Sequence, residues 1–446
     1  MFENKKVLIL GFARSGYEAA KILIKKNNIV IVNDLSEKQD MDKVKELEEL
    51  GVKFIFGSHP DDLLDNTFDY LIKNPGVPIN HKYVLLANKL NVSVINEVEI
   101  AYNLLPKDIK LIAITGTNGK TTTTTLIYEM LIKEGLKAHL TGNIGFPLCS
   151  FLNILKPNDI IVMETSCQQL ENLYNFNPDI AVMTNLFPAH IDFFGDYDKY
   201  KKVKTKIFQN HTKNHIAILN KDSLEVMDET KNIKSNCKYF SSSNKIECCY
   251  VKDNSIYYYD EFIIKLSDII LKGTHNYENI MAAIMVVKEL NVSNDSIIKV
   301  LTQFLGCEHR LEFVKTINNK SFYNDSKATN NKSTQIALLS FTTPTILIMG
   351  GLNRGQDFNE LLEYMNHVKL IVCYGENKMF IKEFANKNNI SIQVCDNLEE
   401  AVKLSDKLST DGDTILLSPA TASWDQYKDF EERGRAFKKF VNELGE

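Results

Sequence analysis

Several large classes of protein are excluded by what this 446-residue chain lacks. No stretch approaches the roughly 18 consecutive apolar residues that a membrane-crossing helix requires, so no membrane insertion is expected. The eight cysteines include no CxxC pair, which argues against a zinc ribbon or a dithiol redox motif and fits a reducing compartment. There is a single tryptophan, no internal repeat and no low-complexity linker. Neither sign of charge dominates: 52 Lys and Arg stand against 57 Asp and Glu, a net charge of −5. Such a balance gives no global attraction to nucleic acid or to an anionic membrane, and neither is expected as a partner. A polyanionic ligand would have to meet local Lys, local Arg or a metal ion. The opening MFENKKVLILGF runs straight into a strand pattern and not into a signal-peptide core, so the cytosol is the expected location.

What is present is an α/β pattern repeated three times. With 44% hydrophobic residues the chain can bury more than one core, and three domains are expected at about 100 to 200 residues per domain. KVLILGF, a helix from about Ser15 to Lys26, NIVIVND, a charged helix over Asp40 to Leu50, VKFIFG and YLIKNPG alternate as parallel βαβ units do. The polar, proline-bearing LLPKDIK ends this Rossmann-like segment and sets the first domain at residues 1–106. LIAITG then opens a central ATPase-type α/β domain of the P-loop kind, residues 107–307, with DIIVMET, IAVMTN and HIAILN as strands. LKGTHNYENIMAAIMVVKEL carries helical spacing near its end, and Asn232 to Lys265 reads as an irregular, strand-rich insertion or sheet edge. SFYNDS, PTILIMGG, LIVCYG, SIQVCD and TILLSPA make residues 308–446 a Rossmann-like C-terminal domain.

Two glycine turns follow strands and open helices. In ITGTNGKTTTTTLIYEML, backbone N–H groups along Gly116, Thr117, Asn118, Gly119, Lys120, Thr121 and Thr122 are placed to cradle phosphates. The Lys120 ammonium would reach the terminal phosphates, and the Thr121 hydroxyl would hold Mg²⁺. The motif is not a regular GxxxxGK[ST], because Ile114 stands at its first glycine. The earlier turn, Gly11-Phe12-Ala13-Arg14-Ser15-Gly16, has Asp34 at the end of the next strand, but Ala13 replaces the middle glycine of GxGxxG. Alone it leaves dinucleotide binding and a structural turn equally open. Beside a downstream ATP site it favours a nucleotide-linked substrate over a redox cofactor.

The remaining motifs carry a resemblance. Glu164 in VMETSCQQLE, His190 in TNLFPAHIDFFG, Tyr200 and Lys204 in YKKVKTKIF, Asn276 and Asn279 in LKGTHNYEN, and Arg310 in CEHRLE come in the order of one superfamily's signatures. They resemble the amide ligases that comprise the muramyl ligases and the folylpolyglutamate synthases. YNDSKATNNKST, GGLNRGQDF and SPATASWDQYKDFEERGRAF resemble the D-glutamate-adding branch of the muramyl ligases, and the likeness covers nearly the whole chain.

The resemblance implies an ATP-dependent ligase that joins D-glutamate to UDP-N-acetylmuramoyl-L-alanine through an acyl phosphate, in peptidoglycan precursor synthesis. A free carboxylate is a poor acceptor for an amine because oxide is a poor leaving group; phosphorylation supplies a better one. Lys120, His190, Lys204 and Lys327 would be catalytic. Two Mg²⁺ ions would be held through Thr121, Glu164, His190 and a CO₂-derived carbamate on Lys204. Asn276, Asn279, Arg310 and Asp325 would complete the ATP site. Gly11, Arg14, Ser15, Gly16, Asp34, Ser36, Asn74, Gly76, Asn143 and Ser166 would take the UDP-substrate. Lys327, Thr329, Arg354, Ser423 and Phe430, the last through its main chain, would bind D-glutamate. His309 reads equally as a core or a functional histidine, Trp424 is assigned to packing, and a monomer is expected. Cys167 and Gln168, after Ser166, and Ala189, just before His190, differ from the usual pattern.

Other readings fit less of the chain. A folylpolyglutamate synthase would lack the first domain, and a diamino-acid-adding ligase would show an Asp-Asn-Pro-Arg sequence that is absent here. A nucleotide switch would have no task for Glu164, His190, Lys204 and Lys327.

Overall fold

A computed structural model describes residues 2–189 and 191–444. The chain divides into two compact units, Met1–Phe304 and Leu305–Glu446.

The first unit carries two sheets. Strands β1 (Lys6–Leu10), β2 (Ile29–Asp34), β3 (Lys53–Phe56), β4 (Tyr70–Lys73) and β5 (Ser93–Ile95) form a parallel sheet in the order β3-β2-β1-β4-β5. Helices α1 (Arg14–Ile24), α2 (Met41–Glu49), α3 (Lys82–Leu90) and α4 (Glu97–Leu104) supply the crossovers and the exit. The strands are continuous apolar runs because both faces are covered, Val7 and Ile9 on one side and Leu8 and Leu10 on the other. Strand order reverses between β1 and β4, so the turns after these two strands flank the crevice where open α/β sheets bind ligands. Asn96 fixes the start of α4 by accepting from the N–H groups of Val98 and Glu99.

The second sheet runs β14-β13-β12-β11-β10-β9-β6-β8-β7. Its members are β6 (Lys110–Thr115), β7 (Ala138–Gly142), β8 (Ile160–Glu164), β9 (Ile180–Met183), β10 (Ile216–Asn220), β11 (Asn236–Ser241), β12 (Cys249–Lys252), β13 (Ser255–Tyr258) and β14 (Glu261–Lys265). All neighbours pair in parallel except the meander β12-β13-β14. The irregular segment expected over Asn232 to Lys265 is therefore an orderly extension of the sheet edge. Helix α5 (Lys120–Lys133) follows β6, and α6 (Cys167–Leu170), α7 (Ile191–Phe194), α8 (Tyr197–Thr205) and α9 (Leu224–Thr230) follow in turn. Helices α10 (Thr274–Lys288) and α11 (Asn294–Leu301) close the unit. Ile280 to Val287 of α10 are buried without interruption and share a core with Leu126, Ile127 and Met130 of α5, which presses the α5 start firmly onto β6.

The second unit holds the sheet β15-β16-β20-β17-β18-β19, parallel throughout except for β15 against β16. These strands are β15 (Glu312–Ile317), β16 (Lys320–Asn324), β17 (Thr345–Gly350), β18 (Val368–Tyr374), β19 (Ile392–Val394) and β20 (Thr414–Leu417). Helices α12 (Asn331–Leu338), α13 (Lys378–Lys387), α14 (Leu398–Leu408) and α15 (Phe430–Glu443) cover it.

Candidate active site

The turn between β6 and α5 is shaped by the chain around it. Gly116 and Gly119 have φ of +146° and +80°. A Cβ on Gly116 would lie 1.9 Å from Thr184 Oγ1, and one on Gly119 would lie 2.0 Å from Asn279 Oδ1, so both positions require glycine sterically as well as conformationally. The segment after β9 braces the turn. Thr117 N donates to Asn185 O at 2.9 Å, Asn118 N to Asn185 Oδ1 at 2.8 Å, and Thr184 Oγ1 to Asn118 O at 2.6 Å. Thr117 Oγ1 shares a 2.9 Å hydrogen bond with Tyr200 OH. Lys120 Nζ donates to Thr117 O at 2.8 Å, which folds the ammonium back over the turn, and half-buried Thr122 continues the helix.

Charge gathers at the carboxyl ends of β6 and β8. Glu164, 1% exposed, ends β8; its Oε2 accepts from Thr121 Oγ1 and its Oε1 from Asn143 Nδ2, both at 2.7 Å. Ser166 caps α6 in a reciprocal box with Gln169. Lys204 projects from α8 and is 1% exposed. Its Nζ donates to Thr115 Oγ1 at 3.3 Å and lies 5.0 Å from the Tyr200 ring centre. Burial, with the Lys120 charge acting in the same direction, brings its pKa down to about 7, against the opposing pull of Cys167 and Glu164. His190 lies outside the described residues. Among the described residues no group of three His, Cys, Asp or Glu side chains could hold a metal ion. The Thr121 hydroxyl and the Glu164 carboxylate do fit Mg²⁺, which takes few protein oxygens and completes its shell with phosphate and water.

On α10 the two asparagines serve differently. Asn279 is buried against Gly119, with its Oδ1 3.4 Å from Thr123 Oγ1, so it holds the turn in place. Asn276, one helical turn earlier, bonds Lys272 O at 2.7 Å.

The first glycine turn is held by Asn74 and by the Asp34 carboxylate. Gly11 has φ of +97° and lies so close to Asn74 that a Cβ would meet the Asn74 Cβ at 2.8 Å. Asn74 Nδ2 donates to Ser15 Oγ at 3.0 Å, and Asn74 Oδ1 accepts from Gly76 N at 3.2 Å, which links the turns after β1 and β4. A Cβ on Gly16 would meet Gly11 O at 2.1 Å. Asp34 accepts from Phe12 N at 2.7 Å and from Ser36 N at 2.8 Å, so its carboxylate fixes the loops as well as marking the strand end. Arg14 is exposed at the start of α1.

In the second unit the strand ends bring another set together. Asp325 follows β16, and its oxygens accept from Leu311 N at 3.2 Å and Ser418 Oγ at 2.8 Å. Burial pushes its carboxyl up to about 7, with the hydrogen bonds from Ser418 and Leu311, and then Arg310 and Arg433, partly offsetting the shift. Lys327 Nζ lies 5.8 Å from the Phe430 ring centre, and Thr329 N bonds Lys327 O at 2.9 Å. Phe430 O accepts from Ser326 Oγ at 2.8 Å. Ser423 Oγ is buried without a hydrogen-bond partner among the described residues, an arrangement that suits a ligand. Arg354 lies 4.6 Å from the ring centre of Trp424, which is 63% exposed. The packing role expected for Trp424 is thus wrong: the indole sits in solvent beneath a guanidinium.

Two side chains that sequence reasoning missed support these sites. Arg433, fully buried on α15, donates to Ser326 Oγ and O, Gly350 O and Thr421 O, tying together the ends of β16, β17 and β20. Removing it would leave those buried acceptors unsatisfied, at about 1–3 kcal/mol each. Lys73, 1% exposed at the end of β4, donates to Val77 O at 2.9 Å and lies 5.7 Å from the Phe193 ring centre. His309 resolves as a core residue: it is 3% exposed and bonds Asn324 through Nδ1. Its ring fills the space that a side chain at Gly434 would need.

Comparison with known proteins places this geometry in context. Residues 114–287 match the Mur ligase middle domain, and residues 309–421 match the Mur ligase glutamate ligase domain. The UDP-N-acetylmuramoylalanine–D-glutamate ligase of Bacillus mycoides (strain KBAB4) is 44% identical over 446 residues, covering 99% of this chain and 98% of the relative. That of Bacillus cereus (strain Q1) is 43% identical with the same coverage. The fold is similar to that of UDP-N-acetylmuramate-alanine ligase MurC from Thermotoga maritima, with a TM-score of 0.60 at 17% identity over 99% of this chain and 100% of that one. It is also similar to that of the MurF ligase from Thermotoga maritima in complex with ADP, with a TM-score of 0.56 at 17% identity over 99% and 96% of the two chains.

Proposed function

The chain belongs to the Mur ligase family, and on that premise we propose that it joins D-glutamate to UDP-N-acetylmuramoyl-L-alanine at the expense of ATP. The observation that carries this reading is the convergence of Lys120, Thr121, Glu164 and Lys204 around one preformed glycine turn. The substrate carboxylate attacks the γ-phosphorus of ATP, forming an acyl phosphate and ADP; the amine of D-glutamate then attacks the acyl carbon and expels inorganic phosphate. Both steps bring negative charge together, so the residues at the site must neutralise it.

Backbone N–H groups from Gly116 to Thr122 cradle the ATP phosphates, and Lys120 swings from Thr117 O to the transferred phosphoryl group. Mg²⁺, when bound, offsets the charge shared between ATP and the carboxylate. Thr121 and Glu164 would hold one ion; Glu164 with His190 would serve a second. Lys204 enters as a carbamate: its neutral amine bonds the carbon of CO₂ and gives up a proton, which turns a cation into a carboxylate-like ligand. Its burial and its contact with Thr115 support this chemistry, since a permanently buried ammonium would be costly there. Asn276, Asn279, Arg310 and Asp325 complete the ATP site. The Gly11–Gly16 turn with Arg14, Ser15, Asp34, Ser36, Asn74, Gly76, Asn143 and Ser166 takes the UDP-substrate. Lys327, Thr329, Arg354, Ser423 and the Phe430 main chain bind the two carboxylates of D-glutamate. On this reading the domains are 1–106, 107–307 and 308–446.

The test is phosphate release from Mg-ATP by purified protein with UDP-N-acetylmuramoyl-L-alanine and D-glutamate, L-glutamate, L-lysine or no amino acid. Release is expected only with the UDP-substrate and D-glutamate together. Release with another amine would move the specificity, and ATP hydrolysis indifferent to both substrates would overturn the reading.

A further inference from the structure

The single tryptophan of the chain sits on a rigid support with its ring in solvent. Trp424 follows buried Ser423 just beyond β20. The backbone on either side of it is anchored: Tyr427 N donates to Ser423 O at 2.8 Å, and the Asp425 carboxylate accepts from Glu376 N at 3.1 Å. The loop that carries Arg354 is tied to the same frame, with Leu352 N bonded to Ala422 O at 2.9 Å and Asn353 N to Glu376 Oε2 at 3.1 Å. The backbone beneath the indole is therefore held, and the Arg354 guanidinium lies over the ring with Cζ 4.6 Å from its centre.

An arginine on a loop otherwise samples many rotamers and gives up that freedom when it binds a carboxylate. Stacking on an aromatic face restricts the side chain while leaving the N–H edge of the planar fork free for bidentate contact. We propose that Trp424 is a positioning residue that holds Arg354 ready for a carboxylate of the incoming D-glutamate. The inference rests on the reading that Arg354 binds that amino acid, and it adds a residue whose own chemistry never touches the substrate.

An exposed cation–π contact of about 0.5–1 kcal/mol corresponds to roughly 2- to 5-fold in affinity. Trp424→Ala should therefore raise KM for D-glutamate by about that factor, leave kcat within about twofold, and leave KM for ATP and for the UDP-substrate alone. Trp424→Phe, which keeps an aromatic face, should recover most of the loss. A thermal melt like that of the wild type is expected, because the ring is 63% exposed. As the only tryptophan, it also reports directly. Titrating D-glutamate into the full-length enzyme with a non-hydrolysable ATP analogue, Mg²⁺ and UDP-substrate should change its emission, with a midpoint that Arg354→Ala shifts upward. An emission change accompanied by an unaltered KM in Trp424→Ala overturns the positioning role while the D-glutamate site stands. An unaltered KM in Arg354→Ala, with no emission change, overturns the underlying reading instead.

Discussion

The two glycine turns of the first unit share a backbone design and differ in the charged groups gathered around them. Each follows a buried parallel strand, opens a helix and is held by close approach to a neighbouring asparagine: Asn74 against Gly11, Asn279 against Gly119. Each also has a fully buried lysine nearby, Lys73 beside the first and Lys204 beside the second. Around the first turn Ser15 and Asn74 are neutral, the Asp34 carboxylate accepts from Phe12 N and Ser36 N, and the Arg14 side chain is exposed. Around the second, Lys120, Lys204 and Glu164 lie together. On the proposed function, backbone geometry provides the phosphate cradle, and the charge placed around it decides whether the cradle only binds or also reacts.

The largest effect should come from removing charge at the second turn. Glu164→Gln is expected to lower kcat by about 10³-fold, as loss of a preorganised electrostatic group does, while calorimetry shows unchanged affinity for the UDP-substrate. Equal losses in both quantities would erase the distinction between the turns. Next, Lys204→Ala should lose about 10²-fold in kcat and regain activity with added formate or acetate, small carboxylates that replace the carbamate. Full activity in Lys204→Arg would contradict the carbamate.

At the first turn the effects should be smaller and confined to binding. Asn74→Ala removes the bond to Ser15 Oγ and should raise KM for the UDP-substrate about tenfold, equivalent to about 1.4 kcal/mol, with kcat retained. A fall in kcat at saturating substrate would instead place Asn74 among the reacting groups.

The smallest effect concerns Lys73, whose pKa burial lowers from 10.5 to about 8. Between those values the unfolded chain binds more protons than the folded one, so wild-type stability should rise with pH through that window. Relative to Lys73→Met, the gain is up to about 1 kcal/mol per pH unit, read from urea unfolding at pH 8, 9 and 10. A flat difference would mean that the ammonium is hydrated in the folded protein.

Much of this was legible in the residues. The apolar runs of β1, β6, β8 and β17 and the two glycine turns announce themselves because buried parallel strands are continuous in hydrophobicity and turns with positive φ need glycine. Strand β7 was not legible, since AHLTG mixes polar and apolar residues at a sheet edge. Nor was β15, where EFVKTI is a half-buried antiparallel edge strand. Arg433 escaped notice because a guanidinium at a core position of an amphipathic helix looks like one more surface charge until its carbonyl partners are known. Trp424 misled for the opposite reason: residue type suggested burial, and only the geometry shows the ring carrying Arg354.

The division of labour between the turns can be measured by trapping the acyl phosphate in the absence of D-glutamate, reducing it with borohydride and quantifying the resulting alcohol of the UDP-substrate. With substrate saturating, Asn74→Ala should accumulate as much as the wild type, and Glu164→Gln should accumulate none while still binding the substrate. The reverse pattern, or equal trapping in both variants, would contradict the assignment of reactive charge to the second turn.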